Sequence, residues 1–260
     1  MRVLIFFLAI SVHTIQAQNY TVIHVIGKIY DTSTSSYLKS GSKLSESSEL
    51  KFETSDARAA ALSSSRGRYV IQKQSNQSGS NDLAYTLSAV LAPARGKMST
   101  RAGGINNQMD FAKKFGENPV AIVGGTYSTA ISNTAYPSDE NRFFYASYLY
   151  KGESINKKLD VINGELQFDV KTFYAVDGVS IDPNETSDCK LFYYDSDKEE
   201  SMEITSLDFN IVNDEDLKSM ISSLEDTSPE EQITSLQEII SSLYGSCDET
   251  QLKATVEGFN

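Results

Sequence analysis

Residues 142–152, Arg-Phe-Phe-Tyr-Ala-Ser-Tyr-Leu-Tyr-Lys-Gly, decide how this chain is read. Arg142 to Tyr150 is a long aromatic run of the kind that suits a pleated, half-buried surface, and Lys151-Gly152 turns it. Two further turns follow at Asn163-Gly164 and Asp177-Gly178, dipeptides that tolerate positive φ and close short hairpins. Lys190 to Tyr194 and Met202 to Thr205 flank an acidic turn from Asp195 to Glu200. Upstream, Val120 to Val123 reads as a strand ended by Gly124-Gly125. Residues 118–206 are therefore expected to form an antiparallel β-sandwich of about seven or eight strands.

Working back from this unit, residues 19–95 show short apolar runs spaced by turn residues. Val22 to Val25, Leu50 to Glu53, Ala59 to Leu62 and Tyr69 to Ile71 are the expected strands of a small barrel or sandwich. Gln74 to Asp82 is polar and reads as a loop. Residues 96–117 are expected to link the two β units. Within them Ile105, Met109, Ala112 and Phe115 mark one face of a short helix closed by Gly116. From residue 207 the period becomes helical. Asn213 precedes Leu217, Met220, Ile221 and Leu224. Ser228-Pro229-Glu230-Glu231 carries a cap, an N1 proline and an early acid in register. Ile233, Leu236, Ile240 and Leu243 form one stripe ended by Gly245, and Leu252 and Val256 mark a last short helix. The fold class is mainly β with two or three amphipathic C-terminal helices. Those helices either pack on the sandwich or present a groove to a partner.

The first eighteen residues read differently. Arg2, an apolar run from Val3 to Val12 and the small Ala17 have the order of a secretory signal peptide. The run is too short for a membrane span, which needs roughly 20 apolar residues. The mature chain is expected to be exported, with no span of its own.

Composition is that of a folded protein, with 14 Tyr and 12 Phe suited to a β-rich core. Net charge is −12 and unevenly placed: residues 19–101 carry +5, residues 102–202 carry −7 and residues 203–260 carry −11. An acidic C-terminal third argues against a nucleic acid partner. The polarity either steers partners or lets the two ends attract each other. Arg66, Arg68, Arg95, Lys97 and Arg101, with Tyr69 and Tyr85 close by, form either a docking patch for an anionic polymer or ordinary basic surface. Glu230, Glu231 and Glu238 are the matching acidic candidates on the helices.

His13 leaves with the leader, so His24 is the only imidazole of the mature chain, and it sits in a strand. Serine and cysteine hydrolase chemistry needs a histidine against a nucleophile, and no such motif is present. Zinc sites fail on ligand count. Asp195, Asp197, Glu199 and Glu200 crowd one turn, but Glu200 stands where a calcium loop needs glycine. Gly124-Gly125 lacks the Lys-Ser/Thr of a phosphate loop. No cofactor is expected. Cys189 and Cys247 either form one disulfide, which export would permit, or remain two buried thiols.

Val25-Ile26-Gly27-Lys28-Ile29, Leu38-Lys39-Ser40-Gly41 and Leu50-Lys51-Phe52, closed by Arg66-Gly67-Arg68-Tyr69-Val70, resemble the repeating core of FecR-like envelope domains. Ser42 stands where those domains carry Asp. The whole chain, including Ser99 to Gly104 and Asn156 to Leu159, resembles a group of uncharacterised exported proteins of Bacteroidota. That resemblance implies a Gram-negative envelope, in the periplasm or at the cell surface, and brings no catalytic residues. The expected function is that of a non-enzymatic exported envelope protein binding a protein or glycan partner. Two alternatives remain: a carboxylate-based glycan hydrolase, and a soluble sensor or regulatory subunit of an envelope complex.

Overall fold

Three consecutive alanines, Ala59-Ala60-Ala61, leave the Arg58–Ser63 strand with almost no side-chain bulk on either face, and both faces are buried. In the computed structural model, which describes residues 19–63, 67–73, 84–94, 104–116 and 118–259, this strand is the middle of a five-stranded antiparallel sheet. Its order is Lys43–Ser45, Asn19–Ile26, Arg58–Ser63, Arg68–Gln72, Leu91–Pro93. One face packs against a second sheet of four short strands, Ser36–Tyr37, Ile29–Asp31, Glu49–Phe52 and Ala84–Thr86. Ile29, Leu50, Phe52, Ala59 and Ile71 lie in the core between them. The other face, through Ile23, Ala60 and Val70, belongs to a different core. Ile23 alternates with Val22 onto that second core, and a bulge between Val22 and His24 keeps His24 on the same face. The expected leader, Arg66, Arg95, Lys97, Arg101 and the expected loop from Gln74 to Asp82 lie outside the described residues.

The central unit forms as the hairpin signals indicate. Glu153–Lys158, Arg142–Tyr150, Thr186–Asp195 and Glu200–Ser206 make, in that order, a four-stranded antiparallel sheet of two adjacent hairpins. Thr126–Ala130, Glu165–Asp169 and Val161–Ile162 make the smaller partner sheet. Asn163 and Gly164 both sit at positive φ (53° and 80°), the conformation that matches a two-residue turn to strand twist. Between the sheets lies an aromatic core that includes Phe144, Tyr148, Phe168, Phe173 and Tyr193.

The expected linker is corrected here. Ile105 bridges to Ile131, and Asn107 caps the Gln108–Phe111 helix, which widens into a π turn over Ala112–Gly116. Phe111 and Phe115, four residues apart, stack at 6.3 Å in the middle of the aromatic core. Met109 is 67% exposed and Ala112 is exposed, so of the expected stripe only Ile105 and Phe115 are buried, and Phe111 joins them. The helix starts at Gln108, which leaves Ile105 outside it and rotates the apolar face onto the two phenylalanines. The Gln108 amide donates to the carbonyls of Glu203 and Ile204 and covers the Glu200–Ser206 edge of the four-stranded sheet.

Residue 207 is likewise not the start of a helical segment. Phe209–Val212 is a strand, paired in parallel with Val120–Val123. Such a pairing across some ninety residues of intervening chain leaves no local hairpin signal. Helices Asp214–Ser222, Pro229–Leu243 and Glu249–Glu257 follow, capped by Asn213, Ser228 and Asp248 as their composition indicates. Their stripes pack rather than form an open groove. Leu217, Leu236, Ile240 and Leu252 meet Ile23 and Val70 of the first sheet and Ala121, Val123 and Val212 of the parallel ribbon. The helices thus join the two β units. Among the described residues no helix is long and apolar enough to cross a membrane.

Candidate functional site

Among the described residues, the structure brings one basic and one acidic candidate from the sequence together, Arg68 and Glu238. The Arg68 guanidinium bonds the Glu238 carboxylate and, at 2.9 Å, the Ser235 hydroxyl, tying the first sheet to the Pro229–Leu243 helix. The charge asymmetry of the sequence is partly answered within the fold by this pair. Tyr69 packs edge-on against Tyr20 at 5.5 Å. Glu230 and Glu231 are exposed in the first turn of their helix, where an acid complements the helix dipole. Arg66 and Arg101 fall outside the described residues. Cys189 and Cys247 are both free thiols, one packed against the aromatic core and the other buried among the helices. Burial pushes each thiol up to about 12, which makes both poor nucleophiles.

What the fold does build is a cleft of about 1170 Å³ where the first sheet, the helices and the parallel ribbon meet. One wall comes from Ile26, Val70 and Gln72 of the five-stranded sheet, with Pro93 at its edge. Phe209, Asn210 and Ile211 of the ribbon form the opposite wall. The end is closed by the C-terminus of the Pro229–Leu243 helix and by Tyr244 to Ser246. Arg58 donates from Nε to the Leu243 carbonyl at 2.5 Å, supplying the positive charge that the last turn of this helix lacks. Asn210 donates to the Tyr244 carbonyl at 2.8 Å. Gly245, at φ +108°, lets the chain pass close to Pro119, so that Ser246 N–H reaches the Pro119 carbonyl at 2.8 Å.

Behind this end wall lies a polar cluster that joins three elements. The Tyr244 hydroxyl donates to Asp216 Oδ2 at 3.3 Å, leaving a lone pair to accept from His24 Nε2–H at 2.8 Å. Asn213 holds the same Asp216 oxygen at 2.7 Å. Burial lowers the pKa of His24, and the nearby Asp216 charge opposes that shift. Burial first, then Asp216, raises the Tyr244 phenol above its usual range. His24 is only 8% exposed and its Nε2 is engaged, so it faces no reactant. The expectation of a structural histidine accords with this position.

Chemically the cleft offers amides from Gln72, Asn184 and Asn210, hydroxyls from Ser242 and Ser246, and two carboxylates, Asp56 and Asp208. Both carboxylates are exposed. Among the described residues no group of three or more His, Cys, Asp or Glu is placed to hold a metal ion. No local motif marks the cleft, because its lining is drawn from positions 26 to 246. No protein-family model matches the chain, and neither a curated protein nor a solved structure matches it.

Proposed function

We propose that this is an exported envelope protein, without enzymatic activity, that binds a partner protein in the cleft between its first sheet and its parallel ribbon. The observation that carries the reading is the cleft itself, an opening of about 1170 Å³ at the junction of three layers. Clefts at such junctions are common ligand sites. Its lining suits a polar partner and holds no nucleophile–base pair. Export to the Gram-negative envelope is part of this proposal and is supported by the expected leader and by the resemblance to exported proteins of Bacteroidota read from the sequence. The test is a photo-reactive residue at Gln72, an exposed cleft position, compared with one at Glu153 on a distant exposed strand. One protein cross-linked in living cells from Gln72 and not from Glu153 supports the reading. The same products from both positions, or none, would refute it.

A second reading, glycan hydrolysis, is favoured by one observation: Asp56 and Asp208 line the same cleft. It requires turnover of an envelope glycan that Asp208→Asn abolishes. A glycan bound without turnover would leave the protein a binding module with a different partner class.

A further inference from the structure

The parallel ribbon has one open edge, and that edge faces the cleft. Val120 N–H donates to the Asp208 carbonyl at 2.8 Å. In a parallel ladder each residue bonds to the two neighbours of its partner, so Asn210 points its main-chain groups at the Val120–Val123 strand. Phe209 and Ile211 therefore point theirs the opposite way. The alternation holds on the other strand too, since Ala121 N–H turns outward to the Ser246 carbonyl at 2.8 Å. No main-chain hydrogen bond is formed by Phe209 or Ile211 at this edge among the described residues. Two N–H and two C=O groups thus lie unpaired along a cleft wall, where most such groups in proteins are paired.

The facing edge is blunted. Ala94 N–H bonds to the Arg68 carbonyl, and Tyr69 pairs with Pro93. By the antiparallel alternation Pro93 then faces outward from the Leu91–Pro93 strand, and proline has no N–H to offer. Along the cleft Pro93 thus offers no donor, whereas Phe209 and Ile211 each offer an N–H and a C=O.

We infer, on the reading above, that the partner binds by strand addition. An extended peptide segment hydrogen-bonds to the main chain of Phe209 and Ile211 and carries Lys or Arg side chains. The charge follows from Asp56 and Asp208, which are exposed in the cleft and form no ion pair among the described residues. The single cation there, Arg58, is already engaged by the Leu243 carbonyl at the helix end. Main-chain bonds supply affinity in this mode, and side chains supply selectivity.

The probe is a random heptapeptide display library selected on the purified protein. Recovered peptides should be enriched in Lys and Arg. Their addition should slow hydrogen exchange of the Phe209 and Ile211 amides by about tenfold or more, and N-methylation of alternate peptide amides should weaken binding by about tenfold. The double variant Asp56→Asn, Asp208→Asn should weaken it by about two- to fivefold, and added salt should do the same. Peptides that leave both amides unprotected or tolerate N-methylation at every position would overturn the inference. So would acidic binders, or none. Protection that rises with protein concentration alone would identify a second copy as the occupant and overturn it equally. If these tests fail while Gln72 still cross-links one protein, strand addition falls and the functional reading stands; if the Gln72 cross-link also fails, both fall.

Discussion

Gly245→Ala should unlock the seam that closes the cleft. Gly245 lies at φ +108°, and a Cβ built on it would sit 2.1 Å from the Pro119 carbonyl oxygen and 2.7 Å from its carbon. Backbone atoms cannot swing aside as a flexible side chain does. The approach places two hydrogen bonds in register, Ser246 N–H to Pro119 and Ala121 N–H to Ser246, each 2.8 Å. Strain at a position only glycine adopts freely costs about 1–3 kcal/mol, and each disrupted hydrogen bond about 1 kcal/mol, for a total of about 3–5 kcal/mol. The matched control is Gly125→Ala. Gly125 also has positive φ, +76°, but a Cβ there meets nothing within 4 Å, so the backbone term alone, about 1–2 kcal/mol, should appear. Urea unfolding at equal m-value measures both. If the two variants lose the same stability, or Gly245→Ala loses less than about 1 kcal/mol, the close approach does not hold the seam.

Three other outcomes are expected. Burial lowers the His24 pKa, so the fold favours its neutral form. Its stabilising contribution is complete above the unfolded value of 6.5 and declines as pH falls through the lower folded value. His24→Gln should flatten the stability profile below pH 6.5 relative to the parent, and parallel profiles would contradict the assignment. Cys189 and Cys247 should resist thiol reagents in the native protein and both react after unreduced denaturation; fewer than two reactive thiols then would contradict the free state. Phe111→Ala should cost about 3–5 kcal/mol and Met109→Ala less than about 0.5 kcal/mol in chemical denaturation, because only Phe111 is buried. Equal costs would return residues 104–116 to the role of a linker.

The features legible in the sequence are local ones. Asn163-Gly164 closes its hairpin because positive φ is a property of those two residues. Ser228-Pro229 starts its helix because a cap and a proline act within one turn. The aromatic run at Arg142 to Tyr150 reads as a strand by alternation with its own neighbours. Errors arose where a neighbour distant in sequence decides. Ile105, Met109, Ala112 and Phe115 had a plausible period, but Phe111 took the place of Met109 and Ala112 in the core because an aromatic cluster from other strands was there to receive it. Phe209–Val212 is only four residues long and finds its partner at Val120–Val123, so no turn announces it.

The mainly β class, the hairpins of the central unit and the C-terminal helices begun at Asn213 and Ser228 were legible in the sequence, since each depends on φ preferences and periods within a few residues. Tertiary structure alone decided that Arg68 answers Glu238, that the helices cement two β units, and that the ribbon leaves Phe209 and Ile211 open beside a cleft. Those outcomes depend on which surfaces meet across the folded chain, and no short window of residues contains that information.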